Sequence, residues 1–183
     1  MADIKQSKVL IMAADGFEQS ELLVPLQKLK AAGATVHVAS PGKKAIKGWN
    51  EKDWGETVPA DRAIADVSAR DYDALVLPGG QINPDVLRLD EAAVKLVRDF
   101  AGAGKVVAAI CHAPWLLVEA GLAKGRTMTS YQSIRTDVQN AGANWVDKEV
   151  VVDNGIVTSR SPKDLDAFVS KTIEEIAEGK HRR

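Results

Sequence analysis

Cys111 is the only cysteine in the chain, and His112 follows it directly. The pair sits between the apolar run Lys105-Val-Val-Ala-Ala-Ile and the stretch Ala-Pro-Trp-Leu-Leu-Val. A short apolar strand that gives way there to an apolar-striped helix puts the cysteine on a tight bend, where α/β enzymes expose a nucleophile. Unpaired N–H groups and the dipole at a helix N-terminus favour the thiolate, and the adjacent imidazole offers a base. The plain alternatives are a buried structural thiol for Cys111 and a solvent-facing first-turn residue for His112. The strand-to-helix junction favours the nucleophile. Of the other histidines, His37 lies between Val36 and Val38 in a strand and His181 in the C-terminal tail, so both read as structural or solvent-facing.

Three further positions gain interest because they too fall at the ends of strands. Pro78-Gly79-Gly80 reads as a plain turn or as bare backbone offering an N–H to an oxyanion. Glu18 and Asp85 each read first as acids at helix starts, favoured by the dipole. Ligands of open α/β sheets bind outside the carboxyl ends of strands, which is where the topology gathers all of these residues. The sequence has no Cys-x-x-Cys, no His-x-x-x-His and no phosphate loop, so neither a metal nor any other cofactor is expected.

The elements that must position these residues alternate between short apolar runs and helical stretches, the pattern of a parallel sheet covered on both faces. Strands are expected at 8–13, 35–39, 73–77, 105–110 and 127–131, with a hairpin of 149–152 and 156–159 around Asp153-Asn154-Gly155. A helix over 19–32 stops at Gly33, with a kink or a later start forced by Pro25. Another runs from an Asn83 cap to near Gly102, and the one after Cys111 ends near Gly121. A short helix covers 134–141, and a last one starts at a Ser161 cap and runs through 176. Between 41 and 72 the periodicity weakens; Trp49 and Trp54 appear among charges, which suggests a hairpin insertion with two exposed tryptophans that pack on a partner subunit.

With 183 residues, residues 1–183 form one domain large enough for a single core. Charged residues make up 27% of the chain but nearly cancel, leaving a formal net charge of −1. That balance argues against nucleic-acid or membrane surfaces, which need a basic patch. The cluster Lys180-His181-Arg182-Arg183 reads as a solvated tail. A single cysteine, no signal-peptide h-region after Met1 and no spanning apolar run together predict a cytoplasmic protein.

Taken together, Lys8-Val-Leu-Ile, Asp15-Gly-Phe-Glu18, Leu77-Pro-Gly-Gly80, Ala109-Ile-Cys-His-Ala-Pro114, Gly142-Ala-Asn-Trp-Val-Asp and Val157-Thr-Ser-Arg160-Ser-Pro162 resemble the PfpI family. That family comprises intracellular protease I and the YhbO-type proteins, in the superfamily of the parkinsonism-associated deglycase. The resemblance runs over nearly the whole chain and implies a flavodoxin-like, three-layer α/β fold with a mostly parallel sheet. It also implies Cys111 as nucleophile, His112 as base, and Glu18 as a protonated acid hydrogen-bonded to the sulfur. Backbone N–H groups around Gly79, Gly80 and His112 would form the oxyanion site. In protease-like members a glutamate from the adjacent subunit orients the histidine. Asp85 occupies the matching position here, a shorter carboxylate that serves only if its backbone comes closer. A homodimer is therefore expected, with a hexamer by analogy.

The function implied is carbonyl-damage control: deglycase or glyoxalase action on methylglyoxal, glyoxal and their early adducts on proteins, with nucleic acid engaged only as a glycated substrate. The alternatives are a cysteine peptidase, the activity for which the family is named, and a redox sensor or holdase whose Cys111 oxidises to a sulfinate. A class-I glutamine amidotransferase needs a histidine far downstream, where only His181 is available.

Overall fold

The run Lys8-Val-Leu-Ile-Met has no polar residue after its first position, as a strand covered on both faces requires. In the computed structural model, which describes residues 4–181, it forms β1 (Lys8–Met12), an interior strand of a seven-stranded sheet. The side chains alternate between two cores. Leu10 and Met12 join Leu75, Leu77, Val97 and Phe100, whereas Val9 and Ile11 join Leu22, Leu29, Val76 and Phe168.

After β1 come β2 (Phe17–Glu18), α1 (Gln19–Ala31), β3 (Thr35–Ser40), β4 (Ile46–Asn50), β5 (Asp53–Val58), β6 (Arg62–Ala63) and β7 (Ala74–Leu77). The second half contains α2 (Ile82–Leu87), α3 (Glu91–Gly102), β8 (Val106–Ile110), α4 (Pro114–Glu119), β9 (Thr127–Met128), α5 (Arg135–Asn140), β10 (Asn144–Trp145), β11 (Val150–Asp153), β12 (Ile156–Ser159) and α6 (Leu165–Glu178). The main sheet has the order β11-β12-β8-β7-β1-β3-β6, and only the β11–β12 pair is antiparallel. From β1 the chain first builds toward β3 and β6, then returns to β7 and β8 on the other side. The switch point therefore opens between the loops that follow β1 and β7, the place where such sheets bind ligands. The expected hairpin is present, with Asn154 and Gly155 both at positive φ (48° and 74°), as a two-residue turn needs.

Several local expectations are corrected. α1 runs unbroken through Pro25. The single helix expected from Asn83 to Gly102 is two, because Asp90 takes an extended backbone and its carboxylate caps α3 through the N–H groups of Ala92 and Ala93. Asn83 lies inside α2 and caps nothing. The strand at 127–131 pairs only over Thr127–Met128, against β10. Ser161 makes no cap bond; a short 3₁₀ turn (Pro162–Asp164) leads into α6 instead.

The 41–72 insertion does hold a hairpin, β4 with β5, and β2 adds to its edge as a third strand. Trp49 and Trp54 meet edge to face at 5.5 Å, so only Trp54 is exposed. The tail is not simply solvated. The N–H of His181 donates to the Gly104 carbonyl at 2.7 Å and its ring reaches Glu175 at 3.4 Å; Arg182 and Arg183 lie outside the described residues. No helix among the described residues is long and apolar enough to cross a membrane.

Candidate active site

Val106 to Ile110 are all buried, and the chain must turn sharply at the next residue to leave the sheet. Cys111 makes that turn with φ +66°, a left-handed backbone that a residue with a side chain adopts only at a cost. Two backbone bonds hold it there: Cys111 N–H donates to the Ser159 carbonyl at 3.0 Å, and Tyr131 N–H donates to the Cys111 carbonyl at 2.7 Å. The sharp strand-to-helix elbow read from the sequence is thus present. Its thiol is not the ready thiolate expected there: burial pushes the Cys111 pKa well above the ordinary thiol value and outweighs the N–H groups of Gly80 and His112 that bond the sulfur. The cysteine rests as a thiol.

His112 Nδ1 lies 3.2 Å from Cys111 Sγ, so the adjacent pair does approach across the bend. Burial lowers the His112 pKa and keeps the imidazole neutral, able to accept a proton. Its other nitrogen, Nε2, lies 3.2 Å from Ser133 Oγ. The ring stacks on Tyr131 with centroids 4.7 Å apart and meets the edge of Trp115 at 5.3 Å.

The carboxyl against the thiol is Glu21, not Glu18. Glu21 lies one turn into α1 on the stripe that buries Leu22, Pro25 and Leu29, and it is fully buried. Its Oε2 accepts the Gly79 N–H at 2.7 Å, while Oε1 is buried with no hydrogen-bond partner. Burial pushes its pKa up to about 8, so at neutral pH it is mostly protonated. Glu18 ends β2 at the start of α1, half-buried; desolvation raises its pKa too, opposed by a bond from Ser20. The helix period explains the misreading, since one turn separates the two acids and only the second falls on the inward stripe.

The Pro78-Gly79-Gly80 turn packs against this centre. A Cβ on Gly79 would come within 2.5 Å of Glu21 Oε2, 2.6 Å of the Cys111 Cβ and 2.7 Å of the Ile110 carbonyl, so only glycine fits. The Gly79 N–H is committed to Glu21 and is not free for an oxyanion; Gly80 N–H and His112 N–H point at the sulfur and remain the candidates. Asn83, fully buried, fastens the turn: its Oδ1 accepts Ala14 N–H at 2.7 Å, and its Nδ2 donates to the carbonyls of Pro78 and Gly79. It thereby ties the loop after β1 to the loop after β7 across the switch point.

Asp85 is exposed on α2, and within the chain both nitrogens of His112 are met by other groups. Its neighbours Ile82, Val86 and Leu89 are exposed as well. The sequence reading missed Glu21, Asn83, Tyr131 and Ser133. For Glu21 the signal was available, an acid on an otherwise apolar helical stripe. Nothing local marks the other three, whose roles depend on distant loops meeting. Beside Ser133 opens a groove lined by Tyr131, Trp145, Asp147, Arg160 and Lys163. For a metal, the described residues offer one group, Glu175, Glu178 and His181, with ligand atoms within 4.8 Å of one another at the far end of α6; it includes none of the elbow residues.

Comparison with known proteins agrees with this picture. A Thermococcus kodakarensis deglycase, TK1284, is 47% identical over 91% of this chain and 98% of its own length. YraA of Bacillus subtilis, whose name marks it as a candidate cysteine protease, is 43% identical over 91% of this chain and 96% of its own. The crystal structure of Drosophila melanogaster DJ-1beta superposes with a TM-score of 0.85 at 33% identity, covering 94% of this chain and 91% of that one. The DJ-1/PfpI family model matches residues 7–175. The flavodoxin-like sheet, the elbow and these matches agree: the chain belongs to the DJ-1/PfpI family.

Proposed function

We propose that this protein is a thiol-dependent deglycase and glyoxalase, acting on methylglyoxal, glyoxal and their early adducts with amines and thiols. The observation that carries the reading is Cys111 Sγ at 3.2 Å from a neutral His112 Nδ1 on a strained elbow; the deglycase name of a close relative points the same way. The resting thiol needs a base at the moment of attack, and His112 supplies it.

With methylglyoxal, a bond forms between Sγ and the aldehyde carbon while the thiol proton passes through His112 to the carbonyl oxygen, giving a hemithioacetal. The backbone N–H groups of Gly80 and His112 stabilise the oxygen as it gains charge. The imidazole then moves the proton on C1 to C2, which turns the ketone into an alcohol and leaves a thioester of lactate. Water cleaves the C–S bond, releasing lactate and restoring the thiol. The net change is addition of water, and no oxidant or reductant is consumed. From an amine adduct, the thiol displaces the amine, which leaves with a proton. Glu21, protonated beside the sulfur, puts no negative charge against the nucleophile.

A cysteine peptidase is the second reading, favoured by the groove beside Ser133 and by the name of YraA. A second copy of the chain at α2, over exposed Ile82, Val86 and Leu89, is part of the proposal. The deciding experiment incubates reduced wild type and Cys111→Ser with methylglyoxal and measures lactate. Lactate from wild type alone supports the reading. No lactate from the reduced wild type overturns it and moves the peptidase forward.

A further inference from the structure

The far end of α6 gathers negative charge where a helix favours a cation. A helix C-terminus carries a partial negative charge, yet the last turn of α6 has no basic residue and contains Glu175 and Glu178. These two acids are three residues apart on one face, where like charges repel. Lys171 is taken up by Glu174, at 2.7 Å. The basic group that faces Glu175 is the imidazole of His181.

Glu175 is only 6% exposed, and its Oε2 is buried with no hydrogen-bond partner. His181 Nε2 is buried and unpartnered as well; the two atoms face each other at 3.4 Å without the geometry of a hydrogen bond. Backbone contacts seat the histidine there. Gly179 turns the chain with φ +91°, and His181 N–H donates to the Gly104 carbonyl at 2.7 Å. The His181 carbonyl then lies so close over Gly104 that no Cβ would fit at that glycine.

One ligand atom from each of Glu175, Glu178 and His181 falls within 4.8 Å of the other two. A tetrahedral zinc ion with bonds of about 2.0–2.2 Å keeps its ligand atoms about 3.4 Å apart. The Glu175–His181 pair already has that separation, and the exposed Glu178 is free to swing its carboxylate in. Calcium and magnesium take oxygen shells, whereas one imidazole with two carboxylates suits zinc. The motifs whose absence argued against a metal were His-x-x-x-His and Cys-x-x-Cys. Here the pattern is Glu-x-x-Glu-x-x-His, and it closes only through the turn at Gly179.

We propose that Glu175, Glu178 and His181 form a zinc site, with water as the fourth ligand, that clasps the C-terminal segment onto the turn at Gly104. Gly104 precedes β8 and Cys111 follows it, so the site stands at the opposite end of that strand from the elbow. Its role is structural, and it does not rest on the deglycase reading.

The test is calorimetric titration of the chelator-treated full-length protein with zinc chloride, paired with thermal unfolding with and without the metal. Both are run in wild type and in Cys111→Ser, because a thiol beside an imidazole is itself a zinc ligand set. Cys111→Ser should bind one zinc ion per chain and gain about 5–10 °C in Tm at a hundredfold excess over Kd, while magnesium gives no rise. In the same background, His181→Ala and Glu178→Gln should each weaken zinc binding by more than about tenfold, the least that losing even an outer partner of a ligand costs. Glu175→Gln keeps the buried shape and removes the charge; it should melt no earlier than its parent without metal and lose the zinc-induced rise. Absence of zinc binding in Cys111→Ser at submillimolar metal overturns the proposal. So does an affinity left unchanged by His181→Ala or by Glu178→Gln, which would place the ion elsewhere. Should His181→Ala fold poorly, Glu178→Gln decides, because that side chain is exposed.

Discussion

Replacing Glu21 by glutamine should remove a pH-dependent penalty on folding. The carboxyl is fully buried, and its pKa rises from 4.5 to about 8 on folding. Between those values the folded protein keeps a proton that the unfolded chain has released, so stability falls as pH rises through the window. Below 4.5 both states are protonated, and above about 8 both are ionised, so the slope vanishes at either end. Inside the window it is about 1.4 kcal/mol per pH unit, which accumulates to roughly 3 kcal/mol between about pH 5 and pH 8. Glutamine has the shape of the protonated acid and can still accept the Gly79 N–H, but it has no proton to lose. Urea unfolding of both proteins across that range isolates the effect, because the other titrating groups are common to the pair and cancel. Wild type should lose about 3 kcal/mol more than the variant from the acid end to the alkaline end. Two parallel stability profiles would refute the assignment of Glu21 as the buried, protonated acid.

Two substitutions probe how the glycine turn is held. Asn83→Ala removes three buried hydrogen bonds that join the loops after β1 and β7; it should cost about 2–4 kcal/mol in chemical denaturation and lower methylglyoxal turnover. Gly79→Ala places a methyl group against Glu21, Cys111 and Ile110, at about 1–3 kcal/mol of stability and most of the activity. Its control is Gly102→Ala at the end of α3, where a Cβ meets nothing within 4 Å. That change should raise stability by up to about 1 kcal/mol through helix propensity and leave turnover alone.

The legible parts of this molecule are those in which neighbouring residues settle one another's environment. The apolar runs of β1, β7 and β8 announce strands buried on both faces, and the Cys111-His112 junction announces the elbow, because both signals are local. Helix boundaries were harder to read. Asp90 starts a new helix by folding its carboxylate back on Ala92 and Ala93, while an unbroken apolar pattern suggests continuity. The site was legible to the extent that single residues carry it. Cys111, His112 and the glycine turn stand out, but the acid was placed one helical turn early, at Glu18, because its burial is decided by which side of α1 packs against β3 and α6. Ser133 and Tyr131 could not be read at all, since their importance arises only when the segment after β9 crosses over the imidazole.

The backbone bonds from Cys111 to Ser159 and Tyr131 hold the cysteine in a conformation that a free chain would seldom visit. Loss of that freedom is an entropic cost of about 1–2 kcal/mol for one residue, incurred once, when the protein folds. In the proposed reaction, a thiol so held has little orientational freedom left to surrender on the way to a transition state. The acceleration due to its placement should therefore appear as a small activation entropy for the bound reactants, while the temperature sensitivity of turnover reflects bond making and proton movement.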